Sequence, residues 1–242
     1  MISKGQIKLI TGLQQKKYRT KAGLFAAEGP KVIAELEKEG LKLHSLFTIN
    51  DETVQSNNVF KVSELELKKI SFLTTANSSL ALFEIPKTTP LATKGLTVVL
   101  DAVRDPGNLG TIIRLCDWFD VTQLVCSKDT VDCYNPKVVQ ATMGSIARLP
   151  IHYVDLNEFL ENANLPVYAG MMDGASIYES ALPENAIIVL GNEANGVSAE
   201  ILSKVTARIT IPQFGIRQAT ESLNVATATA ILLSEFKRST GK

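Results

Sequence analysis

Histidine, cysteine and long apolar runs are scarce in this sequence, and each scarcity excludes a class of protein. Two histidines, His44 and His152, are too few for a multi-histidine metal site and leave little for a Ser-His-Asp triad. The three cysteines form no CxxC pair, which argues against a disulfide framework or a zinc knuckle. The chain has neither a signal-peptide-like start nor a run of about eighteen apolar residues. The sequence therefore predicts a soluble, cytoplasmic protein without a metal or a membrane segment.

Net charge is absent as well, because 25 lysines and arginines balance 25 acidic residues. No overall field draws the chain to nucleic acid, so any such affinity needs a local patch. Residues 1–21 supply one, with six basic residues and no acid. A patch of this kind favours contact with phosphates, although a basic helix face is more often simply solvated.

A turn-rich stretch at residues 86–95, PKTTPLATKG, predicts a domain boundary. We expect a small α/β domain at 1–86, a linker at 87–95 and a larger domain at 96–242. The pattern of the small domain predicts helices at 2–18, 30–39 and 63–73 and a strand at 44–50. In the larger domain, runs of strand length alternate with helical patterns, at 97–101, 123–126, 167–171, 187–191 and 209–212. This alternation predicts a parallel sheet covered by helices on both faces.

Three segments at predicted strand ends combine glycine with polar side chains, and the carboxyl ends of parallel strands are the expected ligand site. The first segment, residues 100–119, runs from a strand through a loop into a helix whose free N–H groups suit an anion. Asn108 in that loop and Arg114 one turn into the helix could both face the strand ends. Alternatively, Asn108 is only a helix cap and Arg114 a surface ion-pair partner.

The second segment, IIVLGNEANG at residues 187–196, is an apolar strand that ends between two glycines. Glycine lets the backbone approach a ligand closely. Neither GxGxxG nor GxxxxGK[ST] is present, so a dinucleotide site or a P-loop lacks its phosphate-holding geometry. Glu193 is either part of the site or an ordinary exposed acid in a turn.

The third segment, residues 209–236, contains a strand, a polar loop and a helix that is predicted to begin near Ser222. From Leu223 the helix is apolar or small nearly all round, so we expect burial on every side, between the sheet and a second subunit. Ser222 and Asn224 either belong to the site or only cap this helix.

Taken together and in this order, DPGNLGTIIR, VLGNEANG and ITIP with SLNVATATAILLSEF resemble the three motifs of the SpoU (TrmH-like) branch of the SPOUT methyltransferases. The stretch KKYRTKAGLFAAEGPKVIAEL from Lys16 is similar to the L30e-like, RNA-binding amino-terminal domain of that family. The resemblance implies an α/β protein with a carboxyl-terminal parallel-sheet SPOUT domain, a deep trefoil knot and a homodimer with sites at its interface. General topology rules make knots very rare, so the knot rests on the resemblance alone.

The implied activity is transfer of a methyl group from S-adenosyl-L-methionine to a ribose 2′-hydroxyl of RNA, without a metal. Ribosomal RNA is the favoured substrate; the alternatives are transfer RNA, or a catalytically silent RNA-binding or ribosome-assembly protein of the same fold. The resemblance assigns the active site to Arg114, Asn108, Glu193, Ser222 and Asn224. It assigns donor binding to Leu190, Gly191, Gly196, Ile211, Gln213 and Leu223. For the basic patch we expect Lys16, Lys17 and Arg19 to contact RNA phosphates.

Two features leave the implied mechanism open. A guanidinium holds its proton strongly, so Arg114 either accepts the ribose proton after losing its own or clamps a phosphate while solvent takes the proton. The second feature is a longer loop than the family commonly has, because IRQATE separates Gly215 from Ser222. That loop affects how Gln213 and Phe214 touch the donor.

Overall fold

The computed structural model describes residues 2–50, 58–215 and 221–238, so the loop at 216–220 lies outside the described residues. The chain forms two compact units. Unit 1 comprises Met1–Lys87 and Asp132–Arg148, and unit 2 comprises Thr88–Val131 and Leu149–Lys242. Residues 132–148 were expected in the carboxyl-terminal domain, whereas the structure packs this segment in unit 1.

Unit 1 contains a four-stranded sheet of order β1-β4-β2-β3. Its strands are β1 (Leu24–Glu28), β2 (Leu43–Thr48), β3 (Val59–Lys61) and β4 (Ser79–Glu84). β4 is antiparallel to β1 and β2, whereas β3 is parallel to β2. The helices are α1 (Lys4–Gly12), α2 (Lys16–Ala22), α3 (Pro30–Lys38), α4 (Glu64–Ile70) and α6 (Pro136–Thr142), with a 3-10 turn at Ser145–Ala147. Helix α6 packs on β1 through a largely buried face, which draws the segment 132–148 into this unit.

The predicted helix at 2–18 is two helices. Serine and glutamine form a capping box that starts α1, with Ser3 accepting from the Gln6 N–H. The chain then turns, because Gln15 is extended, before α2 begins. Every described side chain of α2 except Arg19 is exposed. A helix this polar is normally unstable by itself, so its attachment depends on Arg19.

Unit 2 contains a six-stranded, wholly parallel sheet of order β10-β8-β9-β5-β6-β7. Its strands are β5 (Leu96–Leu100), β6 (Gln123–Ser127), β7 (Ile151–Val154), β8 (Val167–Ser176), β9 (Ala186–Leu190) and β10 (Ala207–Thr210). The helices are α5 (Pro106–Trp118), α7 (Leu156–Glu161), α8 (Ala199–Leu202) and α9 (Val225–Arg238).

Helices cover both faces of this sheet. On one face, Leu156, Leu160 and Ile201 of α7 and α8 join a core cluster with Val99 and Val189. On the other, α9 packs against α5 and the sheet, where the Phe236 ring meets Tyr168 edge-on at 5.5 Å between centroids. The predicted parallel sheet is therefore confirmed, while the trefoil knot stays a prediction.

Strand β8 is interrupted in its pairing with β10. The ladder steps from Arg208 opposite Ala169 to Ile209 opposite Ala175, so residues 170–174 leave the register. Gly174 is required there, because a Cβ atom would lie 2.6 Å from the Arg208 carbonyl carbon and the Ile209 nitrogen. Because residues 170–174 do not pair with β10, this part of β8 can project from the sheet.

Helix α9 differs from the expected element in two respects. It begins at Val225 rather than near Ser222. It is not buried on every side of the single chain, because Thr227, Ser234 and Arg238 are exposed. One face packs on the sheet and α5, and the opposite face is left to solvent.

The edge strand β7 contains a buried histidine, His152. His152 is buried, and its Nε2 atom has no hydrogen-bond partner within the described residues. Burial lowers the pKa of this imidazole, because a charged ring would lose its hydration. No helix in the described part of the chain is long and apolar enough to cross a membrane.

Candidate functional site

A cavity of about 670 Å³ lies beside the carboxyl ends of β9 and β10 in unit 2. One wall comes from Gly170, Met171, Met172 and Asp173, which belong to the interruption in β8. The rest comes from the turn after β9, the loop after β10 and the first two turns of α9. This volume is typical of sites for small organic ligands.

The cavity floor depends on glycine at the end of β9. A Cβ atom on Gly191 would lie 2.1 Å from the Gly196 carbonyl carbon and 2.2 Å from the Val197 nitrogen. Asn192 and Gly196 pair across this turn, and Gly196 has φ +68°. No larger residue fits at position 191 without moving the backbone.

The donor-binding residues expected from the sequence all border this one cavity. They are Leu190, Gly191, Gly196, Ile211, Gln213 and Leu223. Glu193 and Ser222, from the expected active-site set, line the same cavity. The structure thus brings the second and third sequence motifs together, and the contacts of these residues with a donor stay a prediction.

Three predicted active-site side chains form one hydrogen-bonded chain. Asn224 donates through Nδ2 to Asn108 Oδ1 at 2.9 Å, and Asn108 donates through Nδ2 to Glu193 Oε1 at 2.6 Å. These two hydrogen bonds join the first motif to the second and the third. Because both atoms of the Asn108 amide are used, its orientation is fixed with the donor group toward the carboxylate.

Helix capping explains how two of these residues are held. Asn108 is not a cap, since α5 begins at Pro106 and is capped by Asp105, which accepts from the Asn108 N–H at 2.8 Å. Asn224 does cap α9, because its Oδ1 accepts from the N–H groups of Ala226 and Thr227 at 2.9 and 3.3 Å. Ser222 precedes the helix and is not its cap.

Arg114 does not join this cluster in the single chain. It lies six positions after Asn108 on α5, which puts the two side chains on different helix faces. Arg114 is exposed and makes no hydrogen bond or ion pair with any described residue. Its neighbour one turn later, Trp118, is 83% exposed. The two side chains share a face of α5 that points away from the core.

Arg19 is not an RNA contact, and that prediction is wrong. It is 2% exposed and forms an ion pair with Asp132. Its guanidinium also donates to the carbonyl oxygens of Leu13 and Gln14, at 2.7 and 3.0 Å. Lys16 and Lys17, by contrast, are exposed on α2, and the Lys17 ammonium lies 4.8 Å from the centre of the Tyr18 ring.

Two further side chains near the cavity, Tyr178 and Met172, were not predicted. Phe214 is 83% exposed, and its ring centroid lies 6.2 Å from that of Tyr178. Met172 is also exposed and lines the same cavity as Phe214. No periodic pattern pointed to Tyr178 or Met172, and both lie outside the three motifs. Within the described ranges, histidine, cysteine, aspartate and glutamate side chains form no group of three or more that could hold a metal ion.

Two family models match successive parts of the chain. Residues 95–234 match the SpoU rRNA Methylase family, and residues 4–81 match the MRM3-like substrate binding domain. The chain is 31% identical over 236 residues, 93% of each protein, to a 23S rRNA (guanosine(2553)-2′-O)-methyltransferase of Bacillus subtilis.

Two solved structures resemble the whole chain. A TrmH-family protein from Porphyromonas gingivalis has a TM-score of 0.88 at 39% identity, with 98% of this chain and 99% of that one covered. An AdoMet-bound rRNA methyltransferase from Sinorhizobium meliloti has a TM-score of 0.86 at 30% identity, with 98% and 97% covered.

Proposed function

The chain belongs to the SpoU rRNA Methylase family, and we propose that it methylates a ribose 2′-hydroxyl of ribosomal RNA with S-adenosyl-L-methionine as donor. One observation carries the proposal. The cavity of about 670 Å³ combines the second and third motifs, and the hydrogen-bonded chain from Glu193 joins the first motif to it. RNA is the substrate because only RNA has the 2′-hydroxyl. Buried thiols at Cys116, Cys126 and Cys133, together with a ribosomal substrate, fit a cytoplasmic enzyme.

The cavity fits the proposed donor. Its lining is mainly apolar, which suits an adenine ring and a thioether chain, and Gly191 lets backbone groups approach closely. Leu190, Ile211 and Leu223 would hold the donor from the sides. When bound there, S-adenosyl-L-methionine supplies an electrophilic methyl group.

The protein's own part in the reaction is alignment and charge stabilisation. The hydrogen bonds from Asn224 to Asn108 and from Asn108 to Glu193 hold these polar groups in place next to the cavity before substrate binds. Ser222 also lines this cavity. Because a guanidinium keeps its proton, Arg114 binds the phosphate beside the target ribose and stabilises charge on the attacking oxygen, while solvent takes the proton.

A homodimer would bring Arg114 to the site. In the single chain Arg114 makes no hydrogen bond with this cluster, and it shares an exposed face of α5 with Trp118. An exposed tryptophan of this kind is typical of an interface anchor. In this arrangement each cavity receives Arg114 from the partner subunit.

Subunit complementation tests that arrangement. Arg114→Ala and Asn224→Ala variants are each expected to be inactive, but mixed dimers contain one complete site when Arg114 acts across the interface. Random mixing makes half of the dimers mixed, so activity should return to roughly a quarter of wild type. Mixtures as inactive as the separate variants would show that Arg114 acts within its own chain.

Helix α2 of unit 1 is the proposed RNA-binding surface. It carries Lys16, Lys17 and Lys21 without an acid, and Tyr18 is exposed between them. Lysines bind phosphates, and an exposed tyrosine can stack on an unpaired base. The match of residues 4–81 to a substrate binding domain supports this assignment.

The first experiment is transfer of labelled methyl from S-adenosyl-L-methionine to unmodified ribosomal and transfer RNA, followed by nuclease digestion. Label on the ribose of ribosomal RNA is expected, and Asn108→Ala should abolish it with donor affinity retained. Ribose label on transfer RNA alone would show that transfer RNA, and not ribosomal RNA, is the substrate. Donor binding without transfer to either RNA would point to an assembled particle as substrate, and no donor binding would favour the silent RNA-binding protein.

A further inference from the structure

The side chain of Asn192 holds the turn that carries Glu193. Its Oδ1 accepts from the N–H groups of Ala194 and Asn195, at 2.9 and 3.3 Å. Its backbone exchanges two hydrogen bonds with Gly196, at 3.0 and 2.8 Å. Because four hydrogen bonds of one residue close the turn, the direction of the neighbouring Glu193 is set by Asn192.

The other half of the same amide reaches the loop that leads to Asn108. Asn192 Nδ2 donates to the carbonyl oxygen of Ala102 at 2.8 Å. Ala102 has φ +57°, a left-handed conformation that residues with a Cβ rarely adopt. Its own N–H donates to Ser127 Oγ at 2.9 Å, so this strained backbone is held from both sides.

Two hydrogen bonds therefore join these loops side by side. One runs from Asn192 to Ala102 and the other from Asn108 to Glu193. We infer that Asn192 is a positioning residue of the active site: its amide sets the spacing between the loops at which Asn108 meets Glu193. The inference rests on the proposed methyl transfer, and nothing in the family motifs used above assigned a role to Asn192.

Asn192→Asp removes the donor group of the side-chain amide and keeps an acceptor, so it tests the two functions separately. The aspartate keeps an acceptor for the turn N–H groups but loses the donor to Ala102, and it sets a carboxylate against a carbonyl oxygen. Small misplacements of reacting groups cost up to about a hundredfold in rate, so we expect kcat to fall about 10- to 100-fold. Donor Kd and the unfolding temperature should stay close to wild type, because the turn and Gly191 are retained.

Lower pH should rescue this variant. A protonated aspartic acid has an O–H that can donate to Ala102 again, so the ratio of variant to wild-type kcat should rise as the pH falls. Asn195→Asp is the matched control. It places the same charge in the same turn, but the Asn195 side chain makes no hydrogen bond with a described residue. Its activity should stay near wild type at every pH.

The Asn108 side-chain amide gives a readout that does not need turnover. In ¹⁵N-labelled protein, this signal is assigned by its absence in Asn108→Ala. It should shift in Asn192→Asp at neutral pH, return at low pH and stay in place in Asn195→Asp. Should wild type transfer no methyl at all, the proposed function fails, and this signal still decides the inference.

A second variant covers the case in which Asn192→Asp does not fold. Ser127→Ala removes the support of Ala102 from the opposite side and leaves the turn and cavity intact. It should lower kcat by a smaller factor and shift the same Asn108 signal. An unmoved Asn108 signal in both variants, or a loss of kcat that only follows a loss of donor affinity or stability, would overturn the inference.

Discussion

Replacing Arg19 by leucine should destabilise the protein without changing how its RNA affinity depends on salt. The guanidinium is buried and bonds to Asp132, Leu13 and Gln14, with N–O distances of 2.7 and 3.0 Å to the two carbonyls. Leucine leaves the Asp132 carboxylate without its partner in a largely buried position. Breaking a buried pair from one side costs about 3–5 kcal/mol. For a chain of this size that lowers the unfolding temperature by on the order of 10 °C.

Thermal and urea unfolding followed by circular dichroism measure this loss. The double variant Arg19→Leu/Asp132→Leu should regain much of the stability, because no unpaired charge remains. Lys17→Ala is the opposite control: its stability should be unchanged, while the slope of log K against log salt for RNA decreases by about 1. If Arg19→Leu melts within about 2 °C of wild type and flattens that slope, the burial argument is refuted.

Three further changes test other parts of the structure. Phe214→Ala should raise the donor Kd about tenfold in calorimetry at unchanged stability, because an aromatic wall is lost, and an unchanged Kd would remove Phe214 from the site. Burial lowers the pKa of His152 from its ordinary value of 6.5, so near that pH the unfolded state binds more protons than the folded state. The free energy of unfolding therefore falls as the pH drops through the ordinary pKa of histidine. His152→Phe should flatten the fall in unfolding free energy between pH 7.5 and 5.5, and an equal slope would contradict the assignment. Trp118→Glu should yield monomers in sedimentation if α5 forms the dimer interface, whereas intact dimers would place the interface elsewhere.

Local sequence patterns predicted unit 2 better than unit 1. Five of the six strands of the parallel sheet were predicted, because they are apolar runs bounded by turn residues. Strand β7 was not predicted, and β8 continues to Ser176, beyond the predicted end at 171. In unit 1, β1 and β4 contain alanine and leucine in place of most β-branched residues, and they are buried without alternation. Such strands cannot be told from helix segments by periodicity. The place of 132–148 depends on contacts far along the chain, which no local pattern contains.

The residues of the site also differ in how far the local sequence predicts their roles. Asn108 and Glu193 lie in glycine-containing loops that follow strands, and the family resemblance assigned both of them, together with Asn224, to the active site. The role of Arg19 was missed because its partner Asp132 lies 113 positions away. Helix position led to the expectation that Asn108 and Arg114 both face the strand ends, but a separation of six residues turns Arg114 to another face.

Asn224 does two things at once, since it caps α9 and orients Asn108. The first turn of a helix is among the first parts of a fold to open, at a free energy well below that of global unfolding. Each fraying event that releases Asn224 also breaks the hydrogen-bonded chain to Glu193. Heat should therefore inactivate this protein reversibly at temperatures where its sheet is still intact, with the helix terminus acting as the thermal limit of catalysis.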